Sequence, residues 1–375
     1  MILPGATLGL LGGGQLGRMF TARARTMGYE VIVLDPDPFS PAGGIATRHV
    51  CAAYDDPASL QLLADSTAAV TTEFENVPAA ALEFLAGLVR VRPEAASVAI
   101  AQDRLREKAF LRDAGIPTAP FEQVLDADGL EAAWEAIGTP ALLKTSRLGY
   151  DGKGQAGVTS REEARRAFAS FGGVACVLER KLSLEAELSV VLARGADGAI
   201  AAFPPGENVH AHGILHTTTV PSHLSRALTD QALDLAGQVA AQLDYVGVLG
   251  VELFVADGGR LYANEMAPRP HNSGHFSQDA CDVCQFEQQV RTLCGLPLVV
   301  PRLLTPVCMV NLLGDLWRLG EPDWAAALAL PGVKLHLYGK REARPGRKMG
   351  HLNCMAPTAA GAHELARQAL GKLSR

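Results

Sequence analysis

A short apolar run, Thr7–Leu11, leads straight into Gly12-Gly13-Gly14-Gln15-Leu16-Gly17 and then into a helical pattern. Further strand-like runs follow at residues 31–34, 68–72 and 88–92, with helical stretches between them. This alternation constrains the fold more than any other feature. It requires a parallel sheet with helices on its faces over the first quarter of the chain.

The glycine turn matches G-x-G-x-x-G, and Asp35 ends the second strand at about the distance a ribose-binding acid would occupy. Taken alone, these features read as a dinucleotide site and a nicotinamide-dependent oxidoreductase. Bare N–H groups at a helix N-terminus, however, attract an anion whatever is attached to it. The turn therefore predicts a phosphate and leaves its owner open.

A second glycine loop narrows the choice. Lys144 closes an apolar run at 140–143, and Gly149-Tyr150-Asp151-Gly152-Lys153-Gly154-Gln155 follows five residues later. Three glycines let the backbone fold over an anion, and two lysines supply compact positive charge. The stretch reads as a lid over nucleotide phosphates. It is not a Walker loop, because the Gly-Lys-Ser/Thr ending is missing.

Residues 247–255 and 260–266 read as two strands joined by Asp257-Gly258-Gly259, a hairpin signal. With Gly258 and Gly259 at the corner, Glu252 stands opposite Glu265. With a loop one residue longer, it faces Asn264. Either register gathers acids and an amide among Val251, Leu253 and Phe254, and paired buried carboxylates call for a cation. Oxygen ligands of this kind suit Mg²⁺, which also bridges nucleotide phosphates. The competing reading is a half-buried strand pair whose acids face water. Weaker signals accompany these. Residues 174–178 form an apolar strand leading to Glu179-Arg180-Lys181-Leu182, Glu185 and Glu187 follow, and Arg104 and Lys108 lie one helical turn apart.

The chain has 375 residues and a net charge of −6, with no basic run of the kind that binds nucleic acid. No apolar stretch reaches membrane-spanning length, and Arg18 and Arg23 interrupt the N-terminal segment, so a cytoplasmic protein with no membrane or nucleic-acid partner is expected. Seven cysteines include Cys281 and Cys284, but Cys294 and Cys308 do not form the second close pair a zinc site needs. Free, mostly buried thiols are expected. Three domains are read: 1–103, 104–296 with a lid subdomain at about 118–183, and 297–375. The middle block has helices at 104–114, 161–171 and 230–243 and strands of antiparallel character. Residues 117–120, with two prolines, read as the hinge to the lid.

In order and spacing, Lys144, the 149–155 loop, Glu179, Glu187, Glu252 and Asn264-Glu265 resemble the ATP-grasp superfamily. Within it, the chain resembles the 5-(carboxyamino)imidazole ribonucleotide synthases of purine biosynthesis from about residue 7 to 355. The motifs that carry this are Gly13-Gly14-Gln15-Leu16-Gly17-Arg18-Met19, Thr72-Glu73-Phe74-Glu75-Asn76-Val77-Pro78, Asp103-Arg104-Leu105, and Asn208-Val209-His210 with Gly213-Ile214-Leu215. The most specific are the run from Asn264 to His275 and Arg344-Pro345-Gly346-Arg347-Lys348-Met349-Gly350-His351.

The resemblance implies an α/β protein: a Rossmann-like N-terminal parallel sheet, an ATP-grasp domain with a small lid, and a small C-terminal domain. It implies that ATP, bicarbonate and 5-aminoimidazole ribonucleotide react to give the N-carboxylated ribonucleotide, ADP and phosphate, and that the protein is a homodimer. On this basis ATP would meet Arg104, Lys144, the loop Gly149, Tyr150, Asp151, Gly152, Lys153, Gly154 and Gln155, then Glu179, Arg180, Lys181, Leu182, Glu187, His210, Asn264 and Glu265. Glu252, Glu265 and Asn264 would hold Mg²⁺. The ribonucleotide would meet Gly14, Gln15, Leu16, Glu75, Asn76, Val77, Tyr150, Lys153, Arg269, His271, Asn272, Ser273, Lys340, Arg347 and Lys348. Catalytic roles would fall to Lys144, Tyr150, Asp151, Lys153, Arg269 and His271, with Asp151 or His271 managing the amine proton. Two alternatives stay open: another ATP-grasp carboxylase or ligase with a different acceptor, and the oxidoreductase, which leaves Lys144, its loop and the carboxylate hairpin unexplained.

Overall fold

The computed structural model describes residues 1–147, 149 and 153–373. Tyr150, Asp151 and Gly152 of the expected lid loop lie outside the described residues.

The N-terminal alternation forms a five-stranded parallel sheet. Thr7–Leu11 is central, flanked by Glu30–Leu34 and then Arg48–Val50 on one side, and by Ala69–Thr72 and then Arg90–Val91 on the other. The three inner strands, Thr7–Leu11, Glu30–Leu34 and Ala69–Thr72, are buried on both faces because helices cover both. The order of strands reverses between Thr7–Leu11 and Ala69–Thr72, which opens a crevice at their C-terminal ends. Leu11 pairs with Thr72 there, so the chain after Thr72 emerges beside the glycine turn.

A small antiparallel sheet follows, in the order Phe121–Val124, Cys176–Arg180, Ala141–Thr145, Gln155–Val158. Helices Ala127–Ile137 and Arg161–Ser170 pack on it around Leu130, Trp134, Leu143, Phe168 and Leu178. The expected hinge is partly fixed: Ala263 donates its N–H to Pro117 O at 2.7 Å, and Thr118 Oγ1 donates to Ala263 O at 2.9 Å. Residues 117 and 118 thus belong to the neighbouring hairpin, because their polar groups are spent on it.

The remaining strands build one large antiparallel sheet that runs from Arg260–Ala267 through Gly247–Ala256, Leu184–Arg194, Gly206–Ala211 and Ile214–Val220 to Val307–Leu313, Lys348–Met355 and Val333–Leu337. The C-terminal block contributes three of these strands and the helix Ala359–Leu373. Helix Arg226–Gln242 covers one end, burying Ala232, Leu235, Ala236, Val239 and Ala240, the spacing of a single helical face. Helix Gln285–Cys294 packs against both the parallel sheet and the large one, and its Gln289 Nε2 donates to Thr71 Oγ1 at 3.1 Å. All seven cysteines are free, and six are buried.

Candidate active site

The hairpin contains both registers that the sequence left open. Ala256 pairs with Arg260 and Leu253 with Ala263, the register of the longer loop, with Asp257, Gly258 and Gly259 all at positive φ. A bulge between Glu252 and Leu253 then shifts the pairing by one residue and sets Glu252 opposite Glu265. The bulge turns Asn264 toward the same acids, and its Nδ2 donates to Glu252 Oε2 at 3.4 Å. Burial, reinforced by Glu265, pushes the Glu252 carboxyl up to about 7. Two facing acids, one of them pushed up by burial and by the other's charge, fit a divalent cation. Among the described residues no cluster of three or more acidic, histidine or cysteine side chains gathers as a metal cage. Two carboxylates and an amide oxygen are hard ligands of the kind that would suit Mg²⁺.

Arg104, at the start of helix Arg104–Asp113, ties this pair to the lid. Its guanidinium lies 3.2 Å from Glu265 Oε2 and donates to Gly149 O at 3.4 Å. In the lid sheet Glu179 pairs with Leu142, so Lys144 lies two residues along on the same face. Lys144 Nζ donates to Glu179 Oε2 at 2.8 Å, with both side chains buried. Gln155 pairs with Lys144, and Gly154 has φ +68° and accepts from Thr145 N through its carbonyl at 2.8 Å. The Lys181 N–H is spent on Pro140 O at 3.0 Å, and the Arg180 N–H on Pro120 O at 2.8 Å. These two amides therefore serve the lid sheet and are not open to an adenine edge. Glu187 and His210 form an ion pair at 2.8 Å. Burial works against the His210 imidazolium, and Glu187 outweighs it to raise the pKa.

On the acceptor side, Arg269 Nε meets Glu75 Oε2 at 2.5 Å, and Arg269 overcomes the effect of burial to hold the Glu75 carboxyl low. Gln102 Nε2 donates to Glu75 O and Val77 O, fixing this loop. His271 Nε2 lies 3.3 Å from Glu252 Oε1, and its Nδ1 lies 2.8 Å from Ser273 Oγ. Burial, then Arg269 and Lys348, pushes the imidazole down to about 3. Lys340 Nζ donates to Lys348 O at 2.8 Å, and Arg347 donates to Glu342 O at 3.1 Å.

Several of the expected site residues turn their side chains into the protein itself. Val77 and Leu16 bury their side chains in the N-terminal cores, because each falls on an inward-facing position. Ser273 is fully buried and supports His271, while Asn272 exchanges hydrogen bonds with Asn311. Asn76 is exposed, and Gln15 opens the first helix half-buried. The glycine turn departs furthest from expectation. Gly14 N donates to Glu73 Oε1 at 2.7 Å and Gly17 N to Glu73 Oε2 at 2.5 Å, so the anion in the cradle is the chain's own carboxylate. Asp35 accepts from Gly13 N at 2.6 Å and from Tyr54 OH at 2.6 Å, and is thereby committed to the turn, not to a ribose. Glu73 carried a signal in its position: it directly follows the strand that must neighbour the first one.

Sequence reasoning also missed the depth of helix Arg104–Asp113. Glu107 accepts from Met266 N at 2.6 Å, and burial, followed by Glu265, pushes its carboxyl up to about 8. Lys108 lies 3.6 Å from Glu179 Oε1. Spacings of three and four from Arg104 mark all three residues as one helical face.

Known proteins match this arrangement along its whole length. Family models match for the ribonucleotide synthetase preATP-grasp domain over residues 5–102, the ATP-grasp domain over 109–286, and the phosphoribosylaminoimidazole carboxylase C-terminal domain over 307–365. The N5-carboxyaminoimidazole ribonucleotide synthase of Brucella melitensis is 46% identical over 94% of this chain and 97% of its own length. The N5-carboxyaminoimidazole synthetase of Staphylococcus aureus, solved with ADP, superposes with a TM-score of 0.93 at 35% identity, covering 98% of each chain. The Aspergillus clavatus enzyme, solved with ADP and 5-aminoimidazole ribonucleotide, superposes with a TM-score of 0.89 at 29% identity, again covering 98% of each. The chain therefore belongs to the N5-carboxyaminoimidazole ribonucleotide synthase family of ATP-grasp ligases.

Proposed function

We propose that this protein carboxylates the amine of 5-aminoimidazole ribonucleotide with bicarbonate and ATP, in purine biosynthesis. In a chain of this family, the observation that carries the reading is the facing pair Glu252 and Glu265, linked through Arg104 to the lid that holds Lys144. Glu252, Glu265 and Asn264 would hold Mg²⁺, which when bound neutralises phosphate charge. Lys144 and Arg104 bring further positive charge to the nucleotide, as phosphoryl transfer requires.

A bicarbonate oxygen attacks the γ-phosphorus, the bond to ADP breaks, and carboxyphosphate forms. The substrate nitrogen then attacks the carboxyl carbon, phosphate leaves, and the nitrogen gives up a proton. Arg269, held by Glu75, offers charge to the acceptor side, and the loop around Lys153 excludes water that would destroy carboxyphosphate. His271 has both ring nitrogens engaged, by Glu252 and Ser273, which suits orientation better than proton removal. The proton falls to Asp151 in this reading. The protein would work as a cytoplasmic homodimer, which sedimentation tests; among the described residues, no helix is long and apolar enough to cross a membrane.

The deciding experiment measures ADP release with and without bicarbonate and 5-aminoimidazole ribonucleotide. Release that needs both supports the reading. Release indifferent to the ribonucleotide moves the protein to another acceptor.

A further inference from the structure

Lys108 has no part in the reaction as written, yet its ammonium sits inside the nucleotide site. It is 1% exposed, one turn beyond Arg104 on the same helix. Its Nζ donates to Thr118 Oγ1 at 2.9 Å, and Thr118 is in turn bonded to Ala263 O, so the ammonium is fixed from the hairpin side. On its other side stands Glu179, 2% exposed, whose Oε1 lies 3.6 Å away and has no hydrogen-bond partner among the described residues. Oε2 of the same carboxylate holds Lys144 at 2.8 Å.

Lys144 is the group that must turn to the phosphates when ATP enters. That movement takes from Glu179 the only cation hydrogen-bonded to it among the described residues, and an uncompensated buried carboxylate is strongly disfavoured. Glu179 would then either keep Lys144 or take up a proton. We propose that Lys108 is a positioning residue that takes over the Glu179 carboxylate and so releases Lys144 to the nucleotide. This rests on the ATP reading above. The geometry suits the exchange: the pair is already within ion-pair distance, and closing it to a hydrogen bond needs a shift of under about 1 Å. Burial works to raise the Glu179 carboxyl, but Lys108 first, then Lys144, with Arg104 adding from the same helix, hold it down to about 2. Lys108 and Arg104 from helix Arg104–Asp113, and Lys144 from the adjacent strand, are the charged groups that face it.

The test is Mg·ADP binding by calorimetry to the full chain carrying Lys108→Met, at pH 8 and pH 5.5, each expressed as a ratio to wild type. At pH 8 the affinity is expected to fall on the order of tenfold, because Glu179 now competes with the phosphates for Lys144. At pH 5.5 the gap should narrow to under about threefold, since a Glu179 with one cation fewer protonates and lets Lys144 go. In a Glu179→Gln background, adding Lys108→Met should change affinity by less than about threefold at either pH. That double variant carries no unpaired buried carboxylate, so it also decides the matter if Lys108→Met alone fails to fold. Lys108→Arg should bind Mg·ADP nearly as wild type does. An unchanged affinity at pH 8, an equal loss at both pH values, or an equal loss in the Glu179→Gln background would overturn the proposal and leave Lys108 a support of the fold. Wild-type protein that binds no ADP would overturn the ATP reading itself.

Discussion

Glu73 fills the N-terminal cradle of the first helix, and replacing it by glutamine isolates the cost of keeping a charge there. Burial pushes its carboxyl up from 4.5 to about 7, against the opposing pull of the Gly17 and Gly14 N–H groups. A shift of that size corresponds to about 3 kcal/mol, and partial exposure of the side chain trims it to roughly 2 kcal/mol. The sign follows from proton counting. Between pH 4.5 and about 7 the folded state holds this proton more often than the unfolded state does, so the stability from Glu73 is present at low pH and lost as pH rises through 7. Glu73→Gln keeps the shape and one acceptor oxygen but removes the titration. Urea unfolding of both proteins at pH 5 and pH 8 is the assay. The difference between wild type and variant should move by roughly 2 kcal/mol in favour of the variant on going to pH 8, with other titrating groups cancelling. A difference that stays constant, or that moves toward wild type, would show that helix-terminal N–H groups outweigh burial at this site and refute the reasoning.

Glu252→Gln or Glu265→Gln should abolish Mg²⁺-dependent turnover with the fold retained, and a variant keeping more than roughly a tenth of wild-type rate, under about 1.4 kcal/mol of barrier, would count against the metal assignment. Mg·ADP should raise the melting temperature while NAD leaves it unchanged, since only a ligand of the native state shifts unfolding; a shift with NAD alone would restore the oxidoreductase. Arg347→Ala should raise the KM for the ribonucleotide and lower kcat/KM by roughly ten- to a hundredfold with the KM for ATP unchanged. Equal KM values for both substrates in mutant and wild type would return Arg347 to ordinary surface charge.

Local rules reached far into this chain where neighbours in sequence decide the outcome. The parallel sheet at the N-terminus followed from strand and helix periods, and the hairpin from Asp257-Gly258-Gly259. The start of helix Arg104–Asp113 also carries a local signal, because Asp103 caps it by accepting from Leu105 N. Such features depend on backbone preferences and on which residues can bury an apolar face. The resemblance to a family likewise came from short runs, Asn264 to His275 above all, whose residue types are readable in order.

Tertiary structure decided which groups meet. Turn chemistry alone left Glu252 facing either Glu265 or Asn264, and a bulge brought both to it. Glycine spacing predicted an anion at the first helix, but adjacent parallel strands delivered Glu73 to it from 56 residues away. Arg104 and Lys108 are one turn apart in any helix. Only the packing of that helix between lid and hairpin gives one to Glu265 and the other to Glu179. The sequence determines which charges the chain carries and which local elements present them. Partners across the core are set by strand order, a single bulge and the burial that forbids an unpaired charge, and those are properties of the folded whole.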